Sequence, residues 1–120
     1  SLFRKLSTAP AVARAEAAPA VVFDHDPELV EAFLAEFADI LPAIQRNFAT
    51  WRANTADTDT LKQLRRGFHT IKGSAPIVGA TALGTFGRDL ERLTITFHER
   101  PDTITPDAIK ILEQAIGMLP

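Results

Sequence analysis

Apolar side chains in this chain recur at steps of three and four, never two. Leu29, Phe33, Phe37, Ile40, Ile44, Phe48 and Trp51 form one such stripe. That spacing is the repeat of an α-helix face, and it constrains the fold more than any other feature. A second stripe runs through Leu61, Leu64, Phe68, Ile71, Ala75 and Val78. A third takes Leu83, Phe86, Leu90, Leu93 and Phe97, and a fourth Ile109, Leu112, Ile116 and Leu119. Nothing alternates as a strand would, and the β-branched residues fall on helical faces. Four one-sided stripes with short connections predict an all-α, up-and-down four-helix bundle. A fully buried apolar side chain contributes roughly 1.5–3 kcal/mol, so such a core needs no metal or cofactor.

Helix boundaries follow from local chemistry. Asp26 is the expected cap of the first helix, with Pro27 at its first position and Glu28 next. Pro42 falls inside the first stripe, where it removes one backbone hydrogen bond and predicts a kink rather than a stop. The polar run "RANTADTD" ends that helix, and Asp59 or Thr60 is the expected cap of the second. Thr105, followed by Pro106, caps the fourth.

The 120 residues suit one small domain preceded by a tail. Residues 9–20, "APAVARAEAAPA", hold seven alanines and two prolines and have little to bury. Their reading is a linker; the competing Ala-rich helix is tightly bounded by Pro10 and Pro19. The expected division is therefore a flexible Ala/Pro-rich segment over 1–25 and the bundle over 26–119. The chain lacks an initiating Met and ends in "GMLP", so it reads as a piece of a longer protein. With no cysteine, disulfides, thiolate zinc sites and cysteine nucleophiles are excluded, and a reducing, cytoplasmic setting is suited. A net charge of −2 points to neither nucleic acid nor membrane. No apolar run approaches the roughly 20 residues that span a bilayer, and the N-terminus has no continuous apolar segment of a signal peptide.

The second stripe carries the chemistry. His69 follows the buried Phe68 and so lies about 100° round the helix, toward solvent. Lys72 and Gly73 border it three and four residues on; Arg65 and Arg66 border it from the preceding turn, and Lys62 extends the strip. Five basic residues and no acid lie from Lys62 to Arg88. The other eight basic residues face all fifteen acids, net −7, so the bulk charge hides a positive patch. A helix glycine costs roughly 0.8–1 kcal/mol relative to alanine. Here it leaves room beside an imidazole, which is a nucleophile near neutral pH. Were His69 to accept a phosphoryl group, Lys72 would sit within reach of the added charge, and Gly73 would leave an incoming partner unobstructed. Each feature has a plainer explanation: a solvated histidine, a solvated basic face, a glycine for close helix packing. Their convergence on one patch favours a phosphoryl carrier.

"FHTIKGSAPIVGA" followed by "LGTFGRDLERL" resembles the histidine phosphotransfer (HPt) family, which includes the phosphorylated domain of CheA-like chemosensory kinases. The family's His, two residues, Lys, Gly, Ser, Ala fall on His69, Lys72, Gly73, Ser74 and Ala75, and its later element on Leu83, Gly84, Leu90 and Glu91. The likeness covers about residues 26–119, and is nearest to HPt segments of multi-HPt hybrid kinases of the pilus-linked chemosensory type. The resemblance implies an HPt-like bundle that carries phosphate but has no kinase activity of its own, within a histidine kinase chain. His69, through Nε2, would take phosphate from a kinase domain or a phospho-receiver and pass it to a response-regulator aspartate. The domain would need no cofactor, the Mg²⁺ coming with the partner. The partners implied are a receiver domain and a histidine-kinase catalytic domain. Lys62, Arg65, Arg66 and Pro76 are the expected docking residues. An alternative with the same fold is a docking module that is never phosphorylated.

The chain departs from the family at two places. Pro76 stands where a non-proline is usual; it removes the hydrogen bond to the Lys72 carbonyl, so the helix is expected to bend or end there, which could displace Lys72 from His69. Gly87 stands where alanine is commoner, implying a looser third helix or a closer contact. Ser74 is expected on the far side of the turn from His69, in packing. His25 belongs to a loop and His98 to a helix end. The three histidines lack ligand spacing for zinc. Arg88, Asp89, Glu91 and Arg92 read as a charged outer face, on which Glu91 could lie near the patch. Trp51 reads as a core or loop-packing residue.

Overall fold

Side-chain caps start three of the four helices in the computed structural model, which describes residues 26–120, and a proline follows the cap in two of them. The Ala/Pro-rich segment over 1–25, and His25 with it, lie outside the described residues. Helix α1 spans Pro27–Ala53; Asp26 accepts a hydrogen bond from the Glu28 N–H at 2.8 Å. Pro42 lies within α1 and does not end it. Helix α2 spans Thr58–Ser74, and its cap is Asp57 rather than Asp59 or Thr60. Asp57 accepts from both the Thr60 backbone N–H (3.1 Å) and the Thr60 hydroxyl (2.6 Å), a pairing that needs the acid three residues ahead of the threonine. Helix α3 spans Thr81–Glu99, and α4 spans Pro106–Gly117 with Thr105 accepting from the Ala108 N–H.

The α-helical course of α2 stops two residues before Pro76. Ala75–Val78 form a 3₁₀ turn, closed by Gly79 at φ 80°. The Ala80 N–H reaches back to the Ala75 carbonyl and the Gly79 N–H to the Pro76 carbonyl. This is the hydrogen-bond pair of a Schellman ending, and it requires the left-handed residue that glycine supplies. The end expected at Pro76 is thus present, and the second apolar stripe crosses it: Ala75 and Val78 are buried although no longer α-helical.

The core collects all four helices. Trp51 and Phe97 are fully buried and stacked, with ring centroids 5.6 Å apart, joining α1 to α3. Consecutive helices α1, α2 and α3 pack side by side, and α4 returns against α1. Among the described residues there is no strand, in agreement with the expected all-α bundle. Three side chains stand otherwise than the sequence predicts. Leu29, on the first turn of α1, is exposed. Asp89 is buried, because α3 is covered over a wide arc and not along one stripe. Ser74 makes a polar tie, its hydroxyl donating to Glu36 of α1 at 2.8 Å.

Glycines set how closely α2 and α3 approach. A Cβ on Gly87 would lie 2.9 Å from Ile71 Cγ2 and 3.1 Å from the Lys72 backbone nitrogen. Gly87 therefore marks a closer helix contact, not a loosened helix. A Cβ on Gly84 would lie 2.7 Å from Cγ of Pro76, whose ring packs on that glycine.

Candidate functional site

The contact at Gly87 brings the next turn of α3 beneath the outer face of α2. Glu91, four residues after Gly87, lies on the same side of α3. Its carboxylate meets two side chains of α2: Oε2 is 2.5 Å from His69 Nδ1, and Oε1 accepts from Lys72 Nζ at 2.7 Å. The histidine side chain stays 65% exposed while Glu91 is only 12% exposed, so the acid is the anchored member of the trio.

Burial pushes the Glu91 carboxyl up, but the hydrogen bonds and charges of Lys72 and His69 outweigh it and hold the group below the usual carboxylate value. Glu91 is accordingly ionised near neutral pH and can only accept. The nitrogen that faces it, Nδ1, must then carry the ring proton. In neutral imidazole this leaves the lone pair on Nε2. Among the described residues Nε2 has no hydrogen-bond partner. The arrangement can present a fixed, unprotonated nitrogen to solvent while the ring's other nitrogen is tied to an acid.

Lys72 stays on the same face as His69 despite the nearby turn, but its ammonium is bound to Glu91 and is not a free charge beside the ring. Gly73 has nothing within 4 Å of where a Cβ would stand, so the space beside His69 is open. Pro76 is exposed at the surface, with its ring over Gly84. The expected basic strip divides in two. Lys62 and Arg65 face a groove between α2 and α3, together with Leu61, Ile95, His98 and Glu99. Arg66 faces the opposite groove, between α1 and α2, with Asn47, Gln63 and Thr70.

Glu91 is the residue whose part the sequence reading did not assign. Its signal was Gly87 four residues earlier, which marks where α3 comes closest to the turn carrying Lys72. Among the described residues no group of three or more His, Cys, Asp and Glu could hold a metal ion. Nor, among them, is any helix long and apolar enough to cross a membrane.

In comparisons with known proteins, the family model described as Hpt domain matches residues 28–119. Neither the curated proteins nor the solved structures yielded a match.

Proposed function

The chain belongs to the Hpt domain family, the histidine phosphotransfer modules of phosphorelay signalling, and on that premise we propose that His69 is its phosphoacceptor. The observation that carries this reading is the 2.5 Å contact between His69 Nδ1 and Glu91, which leaves the Nε2 lone pair directed at water.

In the reaction, the Nε2 lone pair attacks the phosphorus of a donor. A P–N bond forms, and the P–O bond to the leaving oxygen breaks, with its electron pair going to the donor's carboxylate or to ADP. The proton on Nδ1 stays in place, and Glu91 stabilises the positive charge that the ring acquires. In the return step an aspartate carboxylate of a receiver attacks the phosphorus, and the P–N electrons go back to Nε2. Each step depends on positioning and on charge neutralisation, and the Mg²⁺ comes with the partner domain. Lys72 is close enough to exchange Glu91 for the incoming phosphoryl oxygens, and the open space at Gly73 admits the partner. Lys62, Arg65, Arg66 and Pro76 serve docking.

Hpt domains work with kinase and receiver domains in phosphorelays. The finer placement of this chain, within a CheA-like kinase of the chemosensory type with several such domains, rests on the likeness of the stretch from Phe68 to Ala80 and of the one from Leu83 to Leu93 that follows it; the cytoplasmic setting rests on the lack of cysteine. The test is labelling. Incubation with a histidine-kinase domain or a phosphorylated receiver should give an acid-labile, base-stable phosphate that is lost in His69→Gln. Absence of label from every donor would leave a docking module.

A further inference from the structure

Two of the three large apolar side chains exposed among the described residues border a single groove: Leu29 at 47% and Ile77 at 62%. The groove lies between the first turns of α1 and the 3₁₀ turn that follows α2. Ala32, Phe33 and Val78 complete its apolar lining. Glu36 is the one charge on its rim, and it accepts the Ser74 hydroxyl at 2.8 Å. Apolar surface gathered in one place is unfavourable in water until something covers it. The groove offers no cation and only an acid already bonded, so a matching occupant is apolar and uncharged.

We propose that Val21–Phe23 of this same chain fills the groove, an inference that holds whether or not His69 carries phosphate. The run "VVF" stands between the end of the Ala/Pro-rich stretch and "DHD", Asp24 to Asp26. It has three apolar side chains and no charge. Asp26 is not helical, at φ −47° and ψ 128°, so the chain turns off the α1 axis directly before the first turn. Along α1 the groove runs from Leu29 to Glu36, about 10 Å at 1.5 Å per residue. At 3.3–3.6 Å per residue, Phe23 can stand up to about 10 Å from Asp26 and Val21 up to about 18 Å. The run therefore reaches the full length of the groove. Leu2, Phe3 and Leu6 form another apolar cluster, but they flank Arg4 and Lys5 and lie beyond the whole Ala/Pro-rich stretch. A segment on so short a tether has an effective concentration on the order of millimolar, which favours it over a free partner of like chemistry. A second copy of the chain is the poorer occupant. A stable interface buries about 800 Å² on each partner, of which two exposed side chains supply a small part.

The 120-residue chain has no cysteine, so Ala20→Cys places a single nitroxide label beside the run. In the ¹⁵N-labelled chain the nitroxide should broaden the amide signals of Ile77 and Val78, which come fifty-seven and fifty-eight positions later. The broadening should persist on dilution and be lost in Phe23→Ser and in Ile77→Ser. Ile77 is exposed, so its substitution should leave the rest of the spectrum unchanged. Sharp signals at Ile77 and Val78 in the labelled chain overturn the proposal, whatever else the groove binds. Broadening that survives both substitutions overturns it too. So does broadening that appears only when the nitroxide is carried by a second copy without ¹⁵N, which would make the occupant another chain.

Discussion

His69 Nδ1 lies 2.5 Å from Oε2 of Glu91, a residue twenty-two positions later on a different helix. That contact decides which ring nitrogen is protonated. Replacing the acid by its amide, Glu91→Gln, keeps an acceptor of the same shape but removes the charge. A hydrogen bond to a charged group contributes roughly 1.5–3 kcal/mol. Phosphotransfer to His69 should slow by about 10–100-fold if that interaction is needed at the transition state. Nitrogen-detected NMR of the ring should show the proton shifting from Nδ1 toward Nε2. An unchanged tautomer with an unchanged rate would remove Glu91 from the mechanism.

Two glycines of the site should respond in opposite ways to the same change. Gly73 has open space around it, so Gly73→Ala should stabilise the chain by about 0.8–1 kcal/mol through helix propensity. Gly73→Leu should fold as well and yet lose transfer from a protein partner. Thermal melts together with transfer assays read both outcomes; a melting temperature that drops in Gly73→Ala would make this glycine structural.

Gly87→Ala, by contrast, presses a methyl group onto Ile71 and the Lys72 backbone. Overpacking of this kind costs about 1–3 kcal/mol. The strain should also part α3 from α2 and draw Glu91 away from His69. Urea unfolding should give the lower stability, and phosphotransfer per folded molecule should fall with it. A variant as stable and as active as wild type would contradict the close contact.

Acid should weaken the link between α2 and α3. The folded-state pKa of Glu91 lies below its ordinary 4.5, so between the two values the unfolded chain binds more protons. The contribution of Glu91 to stability is therefore complete above the ordinary value and is lost as pH falls through the lowered one. Urea unfolding of wild type and Glu91→Gln from about pH 7 to about pH 3 should give a stability difference that closes toward acid. A gap that holds constant would mean that the carboxylate charge contributes nothing.

The cap of α2 offers a sharper test of a local rule. Asp57→Ala should lower the melting temperature more than Asp59→Ala, because the Thr60 hydroxyl and backbone N–H both bond Asp57 and hold its carboxyl below the usual range. Equal effects would return the cap to the position expected from sequence.

Periodicity made the helices and most of the core legible. Phe33, Phe48, Leu64, Leu90 and Leu112 are buried where their spacing puts them. The exposure of His69 followed from the burial of Phe68 beside it. The sequence could not place Glu91 on His69, because that contact depends on the register between two helices. The register is set by the 3₁₀ turn, by Gly79 and by the approach at Gly87, none of which a single-helix repeat encodes. Asp89 was misplaced for a related reason: a stripe describes one helix face, whereas α3 is covered on more than one. The basic strip looked continuous along α2 because only the structure shows a neighbouring helix on either side of it.

The ring of Pro76 resting on Gly84 ties two distant positions into one inheritance. A Cβ at residue 84 would stand 2.7 Å from Cγ of a ring that has no rotamer to swing into, so the backbone rather than the side chain would have to give way. The fitness of a substitution at either position therefore depends on the residue at the other.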